Sequence, residues 1–303
     1  MMVEKRKILL IGGAGTLGSD LLDANLNEYE LLVVDNFSES ALTEEEVRNK
    51  VHCFNASVAD ELAILRAFEE FKPDVVIYLA TTLSNDQRRA YESNLLGMVN
   101  SIKAAEQTTQ PMFIYIQSFL TRKSDETITS KSPIEAKDSY SAWKLAAEFL
   151  LNSYPGKKTT LILASVLSPR LSIGAIPAFV RRIQARERIQ VTDTFRDYID
   201  PKTFIHGIKQ IINSKLDQQV TVLGSNNSRS TLEILEKTAA ALGLTLHQID
   251  YKLVEPKLSD PKIITLENSH FQGIATHQSD IEQCILKIVN NFHNSTQQLR
   301  SHH

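Results

Sequence analysis

An apolar run that ends in glycines is the feature that most limits what this chain can become. Lys7-Ile8-Leu9-Leu10-Ile11 reads as a strand, and Gly12-Gly13-Ala14-Gly15-Thr16-Leu17-Gly18 follows it at once. A helical pattern covers Thr16 to Leu26. A strand with no polar face must be covered on both sides, which points to the interior of a parallel sheet under helices. The rhythm then repeats. Strands are expected at Leu31–Val34, Val51–Phe54, Val75–Leu79, Met112–Ile116 and Thr159–Leu163, and helices at Glu61–Phe71 and Ser141–Leu151. Between them lies a long helix from Asp86, with Tyr91, Leu95, Met98, Val99, Ile102 and Ala105 at the spacing of one face.

Strands alternating with helices make the expected class α/β, a doubly wound parallel sheet of the Rossmann type. After Pro169 the segments shorten and become more polar, with helical patterns at 176–186, 203–212, 232–242 and 280–292. The expected division is a dinucleotide-binding domain over 1–168, joined again by 201–223. A smaller mixed α/β substrate-binding region comprises 169–200 and 224–293, and 294–303 is a polar, flexible tail.

Composition excludes several classes. The 303 residues carry 33 Lys and Arg against 36 Asp and Glu, a net charge of −3, so no basic surface for nucleic acid is implied. No run approaches the roughly 18 apolar residues of a membrane span, and the N-terminus has no secretory-type apolar stretch. The two cysteines, Cys53 and Cys284, stand far apart, which argues against disulfide scaffolds and metal modules. A cytoplasmic protein without metal or membrane is expected. His206, His52 and Trp143 read as packing or partly exposed residues, and Arg181, Arg182, Arg186 and Arg188 as a solvated basic face.

Four glycines in the seven residues from Gly12 permit a tight turn, close approach to a pyrophosphate, and helix packing on the strand. The following helix N-terminus offers N–H groups to phosphates. Asp35, at the end of the second strand, stands about 20 residues on, where an acid accepts bonds from the adenosine ribose hydroxyls. Its charge repels a 2′-phosphate, so NAD is expected rather than NADP. Tyr140 and Lys144 are four apart on one helix face. A phenol with its usual pKa near 10 is a poor base, and an adjacent ammonium favours the phenolate. Ser118 lies just past the strand Met112–Ile116, at the sheet edge where ligands of such folds bind.

These motifs together resemble the extended short-chain dehydrogenases/reductases, in particular the NAD-dependent epimerase/dehydratase family that modifies nucleotide sugars. The likeness runs from Lys7 to about Asn290, through Gly12–Gly18, Val33-Val34-Asp35-Asn36, Pro73–Ala80, Tyr91–Gly97, Ser118, Tyr140, Lys144 and Phe195–Asp200. It implies Tyr140 as acid/base, Lys144 as the residue that lowers the Tyr140 pKa and holds the nicotinamide ribose, and Ser118 as the hydrogen-bond donor to the substrate. The implied cofactor residues are Gly12, Gly15, Thr16, Leu17, Gly18, Asp35, Asn36, Ser57, Val58, Leu79, Ala80, Thr81, Asn94, Tyr140 and Lys144. Thr82, Ser118, Ser165, Arg196 and Lys257 are the implied substrate residues, with Arg196 on the diphosphate. The resemblance also implies a homodimer through the helices near Asp86 and Ser141.

Departures from the family pattern narrow the chemistry. Phe119-Leu120 follows Ser118 where 4,6-dehydratases carry an aspartate-glutamate pair and fucose-synthase types a cysteine, so elimination of water and that epimerisation are not expected. Gln117 stands where serine is common, and Thr121-Arg122-Lys123 replaces a tyrosine-glycine. Lys257 takes the place of an arginine, and 161–169 lacks the family's arginine, asparagine and glycine. The function expected is an NAD-dependent nucleotide-sugar epimerase. The alternatives are a nucleotide-sugar 4-ketoreductase using NAD(P)H and a catalytically silent dinucleotide-binding sensor.

Overall fold

The structure, a computed structural model, describes residues 5–24, 26–84, 86–124, 127–213, 220–257, 260–271 and 280–301. In chain order the elements are β1 (Arg6–Ile11), α1 (Thr16–Asp23), β2 (Tyr29–Asp35), α2 (Glu44–Arg48), β3 (His52–Asn55) and α3 (Glu61–Phe71). Then come β4 (Val75–Tyr78), α4 (Gln87–Tyr91), α5 (Gly97–Gln107), β5 (Met112–Ser118), α6 (Ser139–Asn152) and β6 (Lys158–Leu163). They are followed by β7 (Ser165–Val166), α7 (Ala175–Ala185), β8 (Ile189–Thr192), β9 (Phe195–Ile199), α8 (Pro201–Asn213) and β10 (Val220–Leu223). The chain closes with β11 (Ser228–Ser230), α9 (Thr231–Ala241), β12 (Tyr251–Val254) and α10 (Ile281–Ser301). Two compact units result. One is Met1–Arg122, Pro133–Leu163 and Ile208–Thr221; the other is Lys123–Ser132, Ala164–Gly207 and Val222–His303.

The seven-stranded sheet has the order β10-β6-β5-β4-β1-β2-β3. From β3 to β6 the paired strands are parallel. This is the doubly wound order, with its reversal beside β1, the place where such sheets bind ligands at the strands' carboxyl ends. Alternate residues of β1 serve opposite faces, and Ile8, Leu9, Leu10 and Ile11 are all at most 1% exposed. Leu9 and Ile11 join Val34, Val76, Tyr78, Phe113 and Tyr115 under α3, α5 and α6, where Phe68, Met98 and Leu151 meet them. Each such side chain contributes roughly 1.5–3 kcal/mol by leaving water, against about 0–1 for an exposed ion pair. Apolar burial therefore sets the frame. In the second unit β11-β9-β7 form one small sheet and β12-β8 another. Alongside them Phe179, Val180, Ile234, Leu235, Ile285 and Ile288 pack as a separate core.

Three expectations shift. β5 runs through Ser118, so this serine is the last strand residue rather than one beyond it. Its backbone holds register with Leu163 of β6, which extends the ladder. The face expected from Tyr91 to Ala105 is interrupted by a π-helical turn at Glu92–Leu96. An added residue changes the helical phase: Asn94 goes inside at 3% exposure, and Tyr91 is left 44% exposed. The helix expected to end near Phe292 continues to Ser301, in a stretch with neither proline nor glycine to stop it. α2 and the short strands β7 to β12 were not read from the sequence, being too brief for periodicity to mark.

Gly12 has φ +77, and a Cβ there would lie 2.5 Å from the backbone nitrogen of Ala80. Gly12→Ala is therefore expected to lower unfolding free energy by at least about 2 kcal/mol, measured by urea denaturation, through left-handed strain plus a backbone clash.

Candidate active site

The glycine turn is built by backbone meeting backbone. The Gly12 amide donates to Val34 O at 2.8 Å, and the amides of Leu79 and Ala80 donate to Ile11 O at 2.8 and 2.9 Å. A Cβ on Gly18 would stand 2.2 Å from Gly13 O, so α1 starts in direct contact with the turn. Gly15 caps α1 without a side-chain hydrogen bond. Thr16 and Leu17 supply the next N–H groups of that first turn, a position that suits an oxyanion. Asp35, 9% exposed, closes the far side. Its carboxylate accepts from Ala14 N at 3.0 Å, Phe37 N at 2.8 Å and Ser40 Oγ at 2.9 Å. A carboxylate has about four acceptor positions, so this one is oriented with capacity left for a ribose hydroxyl. Asn36 turns to its own loop, accepting from Ser38 N and Oγ. Val58 O accepts from Asn100 Nδ2 at 3.0 Å, which fixes the segment holding Ser57 and Val58 after β3. A turn without room for side chains, an uncapped helix start and an oriented acid fit a dinucleotide.

On the other side of β1, α6 is started by Asp138, whose side chain accepts from Ser141 N at 2.7 Å while Ser141 Oγ accepts from Asp138 N. That cap begins the helix at Ser139 and brings Tyr140 and Lys144 into its first turns. The Tyr140 side chain is half-buried, with the Ser118 and Thr81 hydroxyls as its polar neighbours. Burial raises its pKa to about 12 and the Asp138 charge adds to this, while the Ser118 and Thr81 hydroxyls pull it down. Thr81 Oγ1 in turn donates to Asn94 Oδ1 at 2.9 Å, and the same oxygen accepts from Thr82 N at 2.9 Å. The π turn thus places an amide behind the phenol's partner.

Lys144 is 5% exposed. Its Nζ donates to Ile116 O at 2.7 Å and stands 4.6 Å from the centre of the Tyr115 ring. Burial lowers its pKa to about 7, against the upward pull of Glu148. The sequence suggested the amine as the group acting on the phenol. In this geometry the downward pulls on Tyr140 come from two hydroxyls instead, and Lys144 is turned to a carbonyl.

The remaining implied residues lie in different places. Thr82, 6% exposed, donates from Oγ1 to Glu39 Oε2 at 2.9 Å, and Arg89 donates to the other Glu39 oxygen at 2.8 Å. Ser165, Arg196 and Lys257 belong to the second unit. Arg196 is held by Asp260 Oδ1 at 2.5 Å and by the carbonyls of Phe195 and Pro261, each at 2.9 Å. Lys257 is exposed, and Leu258 and Ser259 after it lie outside the described residues. Beside Arg196, the buried Asp197 carboxylate accepts from Ser225 N and Oγ and from Leu266 N. His206 is exposed, His52 and Cys53 sit on the sheet's edge strand, and Trp143 packs edge-on to Tyr91 at 6.3 Å. Sequence reasoning missed Glu148. The available signal was its place four residues after Lys144, on the same helix face.

The Lys144 shift has a sign that can be checked. Between about 7 and the usual 10.5 the unfolded chain holds this proton and the folded chain releases it, so this residue makes stability rise with pH. In cofactor-free protein Lys144→Met is expected to have the higher melting temperature at pH 7. Thermal unfolding should show that advantage shrinking as pH approaches 10.

Comparison with known proteins shows the family and the fold. The model of the NAD dependent epimerase/dehydratase family matches residues 8–236. A dTDP-glucose 4,6-dehydratase of Neisseria meningitidis serogroup B is 21% identical over 285 residues, covering 78% of this chain and 76% of the relative. The Bordetella bronchiseptica enzyme WbmG, solved in complex with NAD and UDP, superposes with a TM-score of 0.85 at 27% identity over 96% of both chains. UDP-glucose 4-epimerase of Thermus thermophilus, a complex with NAD, shares the fold with a TM-score of 0.80 at 22% identity, over 95% of this chain and 99% of that one. No helix among the described residues is long and apolar enough to cross a membrane. With the doubly wound sheet, the glycine turn and the match over most of its length, this chain belongs to the NAD dependent epimerase/dehydratase family.

Proposed function

We propose that the chain is an NAD-dependent nucleotide-sugar epimerase, acting by hydride transfer at a sugar carbinol carbon, carbon four of the ring. One observation carries this reading: a half-buried phenol, Tyr140, with the hydroxyls of Ser118 and Thr81 as its polar neighbours at the carboxyl edge of the sheet. NAD would be held by the backbone of Gly12 to Gly18 and by Asp35, with Lys144 on the nicotinamide ribose. When bound, it supplies a two-electron acceptor that is reduced and reoxidised within one turnover.

The chain's own groups manage the proton. Tyr140 Oη takes it from the carbinol hydroxyl and returns it after the keto sugar has presented its other face. Ser118 Oγ hydrogen-bonds the same substrate oxygen and fixes it against the phenol. Burial favours the uncharged forms of both Tyr140 and Lys144, so the phenolate needs a cation beside it. Movement of Lys144 Nζ from Ile116 O towards Tyr140 would meet that need. Phe119 and Leu120, in the 3₁₀ turn after Ser118, have no group that could remove a proton for water elimination. In this reading Thr82, Ser165, Arg196 and Lys257 recognise the nucleotide sugar, with Arg196 exchanging the Asp260 carboxylate for phosphate oxygens, which its planar fork suits. The reading includes a cytoplasmic homodimer through α4 to α6, whose Tyr91 and Phe149 are 44% and 57% exposed.

A panel of UDP-, dTDP-, CDP- and GDP-sugars, followed by chromatography and by NADH absorbance, tests the assignment. Epimer formation without net NADH is expected. Steady consumption of NADH by a keto sugar would make the protein a ketoreductase, and NAD binding without turnover would make it a sensor. Tyr140→Phe should lower kcat by about 10²–10⁴-fold, the range for general acid–base groups, with NAD affinity changed less than about threefold.

A further inference from the structure

Two of the positions at which this sequence leaves the family pattern, Gln117 and Arg122, are buried together with Glu148 beside the candidate site. Gln117 is 1% exposed, Thr121 0%, Arg122 3% and Glu148 5%. Their hydrogen bonds form a closed ring. Ser118 N donates to Gln117 Oε1 at 2.9 Å, and Gln117 Nε2 donates to Glu148 Oε2 at 2.7 Å. Arg122 grips both oxygens of Glu148, Nη2 to Oε1 at 2.6 Å and Nη1 to Oε2 at 3.2 Å. Arg122 Nη1 also donates to Thr121 Oγ1 at 3.0 Å, and Thr121 Oγ1 donates to Ser118 O at 2.7 Å, which returns the ring to its start. A spoke leaves it: Gln117 Nε2 donates to Lys144 O at 3.1 Å.

We propose that Gln117, Arg122 and Glu148 are positioning residues that lock the serine turn after β5 onto α6, a claim that rests on reading Ser118, Tyr140 and Lys144 as catalytic. The ring touches both backbone polar groups of Ser118 and the carbonyl of Lys144, so the two elements that carry the site are registered through one carboxylate and one amide. Stability alone does not account for it. A buried ion pair is often matched or bettered by apolar residues of the same volume, because desolvation offsets the attraction. What apolar residues cannot supply is direction. The ring fixes where Ser118 stands relative to Tyr140, a distance to which proton transfer is sensitive. Glu148 also lies one helical turn beyond Lys144 and opposes the effect of burial on its ammonium.

Two variants of the full chain, loaded with NAD, test this. Gln117→Met keeps the side chain's length and leaves the Arg122–Glu148 pair in place, while removing both amide ends. The double change Arg122→Met with Glu148→Leu replaces the pair by apolar volume. Both are expected to unfold cooperatively and bind NAD within about threefold of wild type. In both, kcat for the nucleotide sugar should fall about tenfold or more, with KM changed less than threefold. Wild-type kcat in either folded variant overturns the proposal, since a merely structural ring would be replaced by good packing. If Gln117→Met does not fold, the double variant decides alone.

Should wild type itself convert no nucleotide sugar, the epimerase reading fails and a different measurement judges the ring. Trp143, the single tryptophan, lies on α6 between Tyr140 and Lys144. Acrylamide quenching of its fluorescence should rise about twofold in Gln117→Met. Quenching equal to wild type in both variants overturns the proposal.

Discussion

Everything at the carboxyl edge of the sheet depends on how closely backbone comes to backbone around β1. Gly12 meets Ala80 and Gly18 meets Gly13 at separations that leave no space for a Cβ. Because of this, the ends of β2 and β4 stand against one turn, and the groups they carry converge. Asp35 arrives from one side and Thr81 from the other, with α1 starting between them. Apart from Asp35, whose carboxylate accepts from Ala14 N, backbone does this work. It is an effect of missing volume, and the buried apolar strands below it keep the turn from spreading.

Above that frame the site is electrostatically divided. Burial raises the Tyr140 phenol and lowers the Lys144 amine, so in the cofactor-free chain both are drawn toward their neutral forms. The charges present nearby are arranged in opposition. Asp138 resists the phenolate, and Glu148 supports the ammonium. A helix whose capping carboxylate lies beside the acid/base candidate combines two effects: Asp138 starts the helix, and its charge raises the pKa of the phenol.

The frame was legible because it is written in repeats. Ile8 to Ile11, Val75 to Tyr78 and Glu61 to Phe71 carry the apolar spacing of their elements, and α3 falls on the residues its pattern marked. The glycine turn and Asp35 were legible for a related reason, since each has a stereochemical role that few residues can fill. The network around Glu148 was not, because its members come from β5, a turn and α6 and meet only in three dimensions. A glutamate in Leu145-Ala146-Ala147-Glu148-Phe149 looks like one more helix residue until Arg122 and Gln117 are seen facing it. The occupation of Arg196 by Asp260 was hidden in the same way. Arginine chemistry says that it grips an oxyanion, and only coordinates say which one.

The π turn at Glu92–Leu96 has a geometric consequence beyond the burial of Asn94. Each residue advances an α-helix by about 100°, so one surplus residue rotates everything downstream by that angle. Downstream of the turn, α5 packs through Met98 and Ile102, on the face that Asn94 begins. The amide behind Thr81 and the hydrophobic seam of α5 are thus set by a single phase offset. A deletion that removed it would unwind the seam and withdraw the amide together, so neither can drift without the other.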